Sequence, residues 1–216
     1  MPQCKIFNKA LQARFDQLQR DWKRQIKKQG EPHKGHVELY LKDGQVKESW
    51  NKAYSEGGFT QVNQAANERL KDQLRAKLES TVNLKILDLF GGNGNLIQNL
   101  NKEYALSVDL YPNELRNNSF FHLNLFHKDA LREFSKNVER DFNTLIIDPP
   151  RSGFKDFKAW VEYISPQRII YISCHPQTMI RDLQSIAELY ECKDNFLIDL
   201  FPATYHLEAM IILEKP

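Results

Sequence analysis

Beyond Asn83 the chain alternates short apolar runs with helix-patterned stretches, and this alternation constrains its fold more than any other feature. Residues 85–90, 104–108, 120–125, 144–147, 168–173, 195–200 and 208–213 read as strands, with helical segments between most of them. A helical crossover returns the chain to the same end of a sheet, so the pattern predicts a mostly parallel sheet covered by helices on both faces. The last two runs are joined only by the short link 201–207, which leaves no room for a helix, and they are expected to pair antiparallel. The fold class is therefore α/β.

The upstream part has a different pattern. Over residues 5–29, Leu11, Phe15, Leu18, Trp22 and Ile26 recur at spacings of three and four, which predicts an amphipathic helix ended by Gly30, Pro32 and Gly35. Residues 36–41 alternate, Asp43-Gly44 supplies a tight turn, and residues 46–50 return as the second arm of a hairpin. Gly57-Gly58 breaks the chain, and a second helix is expected from Gln61 to Ser80, with Ala66, Leu70, Leu74 and Leu78 on one face. The expected organisation is an extension, residues 1–58, followed by a domain, residues 59–216.

Residues 5–29 carry eight basic side chains against two acidic ones, a local +6 that leaves about −4 for the rest of a chain whose net charge is +2. A basic arm on a mildly acidic body is suited to phosphate contact, and equally to a solvated helix face. With 41% hydrophobic and 27% charged residues, the composition is that of a folded globular protein and argues against disorder. The absence of a long apolar run and of a leader-like start points to a cytoplasmic protein without a membrane partner. The three cysteines, Cys4, Cys174 and Cys192, form no C-x-x-C pair, so neither a metal site nor an iron–sulfur cluster is expected.

The chemistry-bearing residues fall at the ends of the strand runs. Leu87-Asp88-Leu89-Phe90-Gly91-Gly92-Asn93-Gly94-Asn95 lies where the first strand of the domain meets a helical stretch. Glycines there allow a tight turn and close approach of a ligand to the backbone. The G-G-N-G-N spacing, with an acid three residues before the first glycine, departs from the dinucleotide pattern G-x-G-x-x-G and suits S-adenosylmethionine better. A plain tight turn is the other reading. Asp109 closes the second strand, where it could accept hydrogen bonds from ribose hydroxyls or cap a helix. Asp129 follows the third strand and could face an adenine amino group or cap the next helix.

Asp148-Pro149-Pro150-Arg151 follows the fourth strand, and its prolines hold Asp148 and Arg151 at the carboxyl edge of the sheet. Cys174 follows the fifth strand in Ser173-Cys174-His175-Pro176. A strand-end cysteine is either a small core residue or a nucleophile, and a helix starting after Pro176 is expected to lower its pKa. Glu208 opens the last strand as a candidate base or an exposed acid. With His206 it makes at most an incomplete metal pair.

Taken together, these segments resemble the RNA uracil-5 methyltransferase family from about Phe59 to the C-terminus. The resemblance rests on Phe59-Thr60-Gln61-Val62-Asn63, the 87–95 loop, residues 148–153, Ser173-Cys174-His175-Pro176-Gln177-Thr178-Met179-Ile180-Arg181-Asp182 and residues 201–208. It implies a Rossmann-like class I methyltransferase fold, with a seven-stranded, mostly parallel sheet and a last antiparallel strand, plus the small N-terminal helix and hairpin. It also implies S-adenosylmethionine as cofactor and RNA (tRNA or rRNA) as partner, with the protein a monomer. Gln61, Phe90, Gly92, Asn95, Asp109, Asp129 and Asp148 would contact cofactor or base, Arg151 would position the substrate, Cys174 would be the nucleophile and Glu208 the base. The thiolate would add to C6 of a uracil so that C5 can take the methyl group. Asp109 stands where the family usually has Glu, His175 where it has Asn, and Gly91 where Cys is common. The family's usual N-terminal β-barrel for RNA binding has no counterpart in the helix and hairpin read here. The alternatives are an RNA cytosine-5 methyltransferase, disfavoured by Pro150 in place of a second cysteine, and a non-catalytic RNA-binding module of methyltransferase shape.

Overall fold

The structure, a computed structural model, describes residues 8–28, 37–42, 44–50, 64–79, 81–92, 94–97, 100, 103–110, 119–139, 141–200 and 207–216. The chain divides into two compact units, Met1–Thr60 and Gln61–Pro216.

The first unit holds α1 (Lys9–Lys28) and the antiparallel hairpin of β1 (Val37–Lys42) and β2 (Gln45–Trp50), with Val37 opposite Trp50 and Lys42 opposite Gln45. At the described start of the helix the Asn8 side chain accepts the Ala10 N–H at 2.9 Å, supplying a partner that the first turn lacks, while residues 5–7 of the expected helix lie outside the described residues. Gly44 takes φ +73 in the turn, as a two-residue hairpin requires. Leu11 and Leu18 of the predicted stripe are buried, and Trp22 stacks on Trp50 with ring centroids 5.7 Å apart. Arg14 leaves the basic set by pairing with Glu48, whose other oxygen accepts the Trp50 indole N–H at 3.0 Å. Lys9, Arg20, Lys23 and Arg24 stay exposed.

The second unit is built on a seven-stranded sheet. Its elements are α2 (Gln64–Leu78), β3 (Lys85–Leu89), β4 (Tyr104–Asp109), β5 (Phe120–His122), α3 (Ala130–Asn137), β6 (Thr144–Ile147), α4 (Phe157–Ile164), β7 (Arg168–Ser173), α5 (Pro176–Gln184), β8 (Glu191–Ile198) and β9 (Glu208–Glu214). The strand order is β5-β4-β3-β6-β7-β9-β8. All neighbours are parallel except β9, which is antiparallel to both β7 and β8. The expected antiparallel final pair is therefore present, with β8 beginning at Glu191 instead of residue 195. Its exposed, charged start fits an edge strand, and the register shift between Cys192 and Asp194 absorbs the irregularity. In contrast, β5 stops at His122, although Leu123 and Leu125 beyond it are buried.

The near-continuous apolar character of the central strands follows from burial on both faces. On one face Leu87, Leu89, Leu145, Ile147, Ile169 and Tyr171 pack with Phe134, Phe157 and Trp160 from α3 and α4. On the other, Ile86, Ile146, Ile170 and Ile172 pack with Ala66, Leu70, Leu74 and Leu78 of α2. Because β4 and β5 lie to one side of β3 while β6 and the later strands lie to the other, the order reverses between β3 and β6. The carboxyl ends of strands flanking such a reversal form a crevice suited to a ligand.

Candidate active site

The first wall of the crevice is the turn after β3. Phe90 adopts φ +62, and its N–H donates to the Val108 carbonyl at 2.9 Å. Asp88 beneath it is fully buried. The Ser107 hydroxyl donates to Asp88 Oδ2 at 3.1 Å, while Oδ1 is buried without a hydrogen-bond partner. Burial, with smaller contributions from nearby Asp148 and Asp109, pushes the Asp88 carboxyl up to about 8.

Gly91 has no room for a side chain, since a Cβ there would lie 2.0 Å from Ser107 Oγ and 2.3 Å from Asp88 Oδ2. This accounts for glycine where cysteine is common in the family that the motifs resemble: the Ser107–Asp88 pair occupies the volume. Gly91→Ala is expected to destabilise the protein by about 1–3 kcal/mol, with Ser107→Ala in the same chain recovering part of the loss. Equal unfolding midpoints in urea for parent and Gly91→Ala would contradict this packing account. A Cβ at Gly92 would instead meet nothing within 4 Å, so open space lies beside this part of the turn, at φ +50.

Asp109 closes the far side. Its Oδ2 accepts the Gly92 N–H at 2.9 Å and its Oδ1 the Leu110 N–H at 2.6 Å, which ties the end of β4 to the glycine turn. Asn95 is paired with Asn67 of α2 through two reciprocal amide bonds of 3.0 and 3.1 Å, so part of its hydrogen-bonding capacity already serves the fold. Asp129 stands at the N-cap position of α3 without a side-chain cap hydrogen bond, and its side chain is exposed. Phe90 packs against Phe154 (5.1 Å between centroids) and Phe126 (5.3 Å). Phe126 is 53% exposed beside the turn, and no pattern in the sequence had singled it out. Gln61 and His206 lie outside the described residues.

The second wall gathers four groups. Asp148 follows β6, and its N–H donates to the Leu89 carbonyl at 3.3 Å. Cys174 follows β7 and is partly buried. The β7–β9 pairing ends with Ser173 opposite Ala209, so Cys174 just past β7 and Glu208 at the start of β9 flank the same last pair. The Arg151 side chain, from the turn after β6, hydrogen-bonds the Cys174 side chain.

The electrostatics follow from this crowding. Glu208 is 6% exposed, so it is not the solvated strand-end acid that the sequence also allowed. Burial, with Asp148 adding repulsion, pushes its carboxyl up to about 8, and burial pushes Asp148 up to about 7. The helix that starts at Pro176 is present, yet the expected lowering of the Cys174 pKa is not. Burial raises it, the Arg151 hydrogen bond and charge oppose the rise, and Glu208 and Asp148 add to it. The thiol is thus held by competing influences in which Arg151 is the favourable one. Among the described residues no group of three or more His, Cys, Asp or Glu side chains could hold a metal ion.

The sheet order, with its single reversed strand next to the last edge, together with the glycine turn, defines a Rossmann-like class I methyltransferase fold. The N-methyltransferase NodS from Bradyrhizobium japonicum WM9 shares that fold, at a TM-score of 0.52 and 10% identity over 70% of this chain and 97% of that one. Within this class the chain is related to the uracil-5 methyltransferases: residues 129–216 match the family model described as tRNA (Uracil-5-)-methyltransferase. It is 30% identical over 197 residues to the 23S rRNA (uracil(1939)-C(5))-methyltransferase RlmD of Shewanella denitrificans, covering 82% of this chain and 40% of that protein. It is 32% identical over 178 residues to the protein of the same name from Salmonella typhimurium, covering 76% of this chain and 41% of that one. The chain thus spans about two fifths of the length of these relatives.

Proposed function

We propose that residues 59–216 form a methyltransferase domain that uses S-adenosylmethionine to methylate carbon 5 of a uracil in RNA. The observation that carries this reading is that Cys174 and Glu208 flank the last β7–β9 pair, with Glu208 close enough to act on the thiol and Arg151 hydrogen-bonded to it. A pyrimidine C5 needs a nucleophile at C6 and a base at C5, and this pair supplies one of each.

The crevice fits the cofactor on grounds of geometry. The Gly91 turn brings backbone close, open space lies beside Gly92, and Asp109 sets a carboxylate at the end of β4. Phe90, Gly92, Asn95, Asp109 and Asp129 are the described residues assigned to hold it, with Gln61 as a further contact. When bound, S-adenosylmethionine would supply a methyl group on a positively charged sulfur, which would keep the S–CH3 bonding electrons and leave as a neutral thioether.

The chain's own groups carry the remaining chemistry. The Cys174 thiolate forms a bond to uracil C6, and the C5=C6 electrons move onto the C4 carbonyl oxygen as an enolate. Arg151 stabilises the thiolate before attack and steers the base to it. Collapse of the enolate lets C5 take the methyl group. Glu208, as carboxylate, then removes the C5 proton, the C5=C6 bond re-forms and the C6–S bond breaks, returning the thiolate. Burial, with Asp148 adding repulsion, keeps the Glu208 carboxyl weakly acidic, as a base requires. The exposed Lys9, Arg20, Lys23 and Arg24 of residues 1–58 are offered to RNA phosphates.

The direct test is release of tritium from RNA carrying [5-³H]uridine. Release that depends on S-adenosylmethionine and yields 5-methyluridine is expected. Methylation of cytidine, or methyl transfer without tritium release, would overturn the assignment.

A further inference from the structure

We propose that Asp182 is a positioning residue that, with Arg181 and Thr178 on α5, locks the turn carrying Arg151 so that its guanidinium stays on the Cys174 sulfur. The inference rests on Cys174 being the nucleophile, and it identifies what keeps that nucleophile reactive.

Asp182 is 3% exposed, yet both its oxygens are occupied. Oδ2 accepts the Phe154 N–H at 2.7 Å and the Tyr171 hydroxyl at 2.6 Å, and Oδ1 accepts Arg181 Nε at 2.9 Å and Nη2 at 2.6 Å. One carboxyl group therefore ties together the 150–154 turn, β7 and α5. Two more bonds hold the same turn to α5. Arg181 Nη2 donates to the Ser152 carbonyl at 3.0 Å, and the Thr178 hydroxyl reaches the carbonyls of Arg151 (3.1 Å) and His175 (3.0 Å).

Gly153 makes the close approach possible. It sits at φ +70, and a Cβ there would come within 2.5 Å of Arg181 Nη2 and 2.6 Å of Asp182 Oδ2. The backbone from Arg151 to Phe154 is thus fixed to the helix that starts two residues after Cys174. Nucleophile and guanidinium are built on one rigid piece. A buried carboxyl group with four donors is a costly arrangement unless every bond is made, and here its bonds converge on the turn that presents Arg151.

The groups that act on the Cys174 thiol are Arg151 on one side and Glu208 and Asp148 on the other. Loss of the Arg151 contact leaves only two carboxyl groups and burial, all of which oppose the thiolate. Displacing the turn has the same consequence as removing the guanidinium, although Asp182 is not among the groups that act on the sulfur.

The test is the pH dependence of iodoacetamide alkylation at Cys174, followed by peptide mass spectrometry on the full chain, with exposed Cys192 as internal control. Arg151→Gln is expected to move the Cys174 profile up by about one pH unit, and Asp182→Asn by a similar amount. The double variant should shift no further than either single one, and Cys192 should not change. If Asp182→Asn fails to fold, Arg181→Gln, at a more exposed position, removes the same carboxyl contact and the Ser152 bond and is expected to shift the profile in the same direction. A lowered melting temperature with an unshifted Cys174 profile, or full additivity in the double variant, would overturn the positioning role. Failure of the methyltransferase reading would show instead as absent 5-methyluridine with the thiol profiles behaving as described.

Discussion

Cys174→Ala is expected to lower uridine methylation by on the order of 10⁴-fold or more while leaving the fold and S-adenosylmethionine binding intact. The size of the effect reflects the absence of any substitute. Uracil C5 is a poor nucleophile until a group adds to C6, and among the described residues the other cysteine, Cys192, is exposed on the edge strand β8, away from the crevice. Alanine keeps the β7–β9 pairing, because that pairing is made by backbone, and it removes only a partly buried sulfur. The measurement is twofold: turnover on uridine RNA, and denaturant-resistant adduct with 5-fluorouridine RNA in gel electrophoresis. Adduct that persists in Cys174→Ala would remove Cys174 as nucleophile. Turnover within tenfold of the parent would do the same.

Glu208→Gln is expected to slow turnover by about 10²- to 10⁴-fold and to accumulate the covalent RNA adduct, since methylation of C5 can proceed but proton removal cannot. Its second signature lies in stability. Burial raises the Glu208 carboxyl to about 8 in the folded protein, well above its ordinary value, so the folded state keeps a proton that the unfolded chain releases. Stability from this group is therefore complete below the ordinary carboxylate range and is lost as pH rises toward about 8. Glutamine carries no charge and does not incur this loss. The variant should melt higher than the parent at pH 9, by on the order of 1–3 kcal/mol in unfolding free energy, and the two should converge near pH 5. Parallel pH–stability curves would show that Glu208 is not a buried acid, and adduct-free, parent-like turnover would show that it is not the base.

The α/β class and the seven strands were legible because period and punctuation are local. A strand buried on both faces reads as a short apolar run wherever it sits, and residues 144–147 and 168–173 were placed to the residue. The ends were less legible where local pattern and tertiary pairing part. The start of β8 is polar because it forms a sheet edge, and only its pairing with β9 makes it a strand.

The candidate site divides along similar lines. The glycine turn, Asp109, the Asp148–Arg151 turn, Cys174 and Glu208 each announce themselves by residue type at a strand end. Their relation does not. Cys174 and Glu208 are more than thirty residues apart, and only the antiparallel pairing of β7 and β9 brings them to the same end of the sheet. Nor could residue type foresee that the cysteine would be raised in pKa by burial despite a helix start beside it, or that Asp182 would serve a turn almost thirty residues upstream.

The sequence by itself determined the alternation of strands and helices and the chemical kinds available at the carboxyl edge, because hydrophobic period, glycine conformation and side-chain chemistry belong to single residues and near neighbours. Only the tertiary structure decided which of those groups face one another, how deeply each carboxyl group is buried and what Arg151 touches. Those depend on register, desolvation and charge proximity, which arise when distant strands are brought into one sheet.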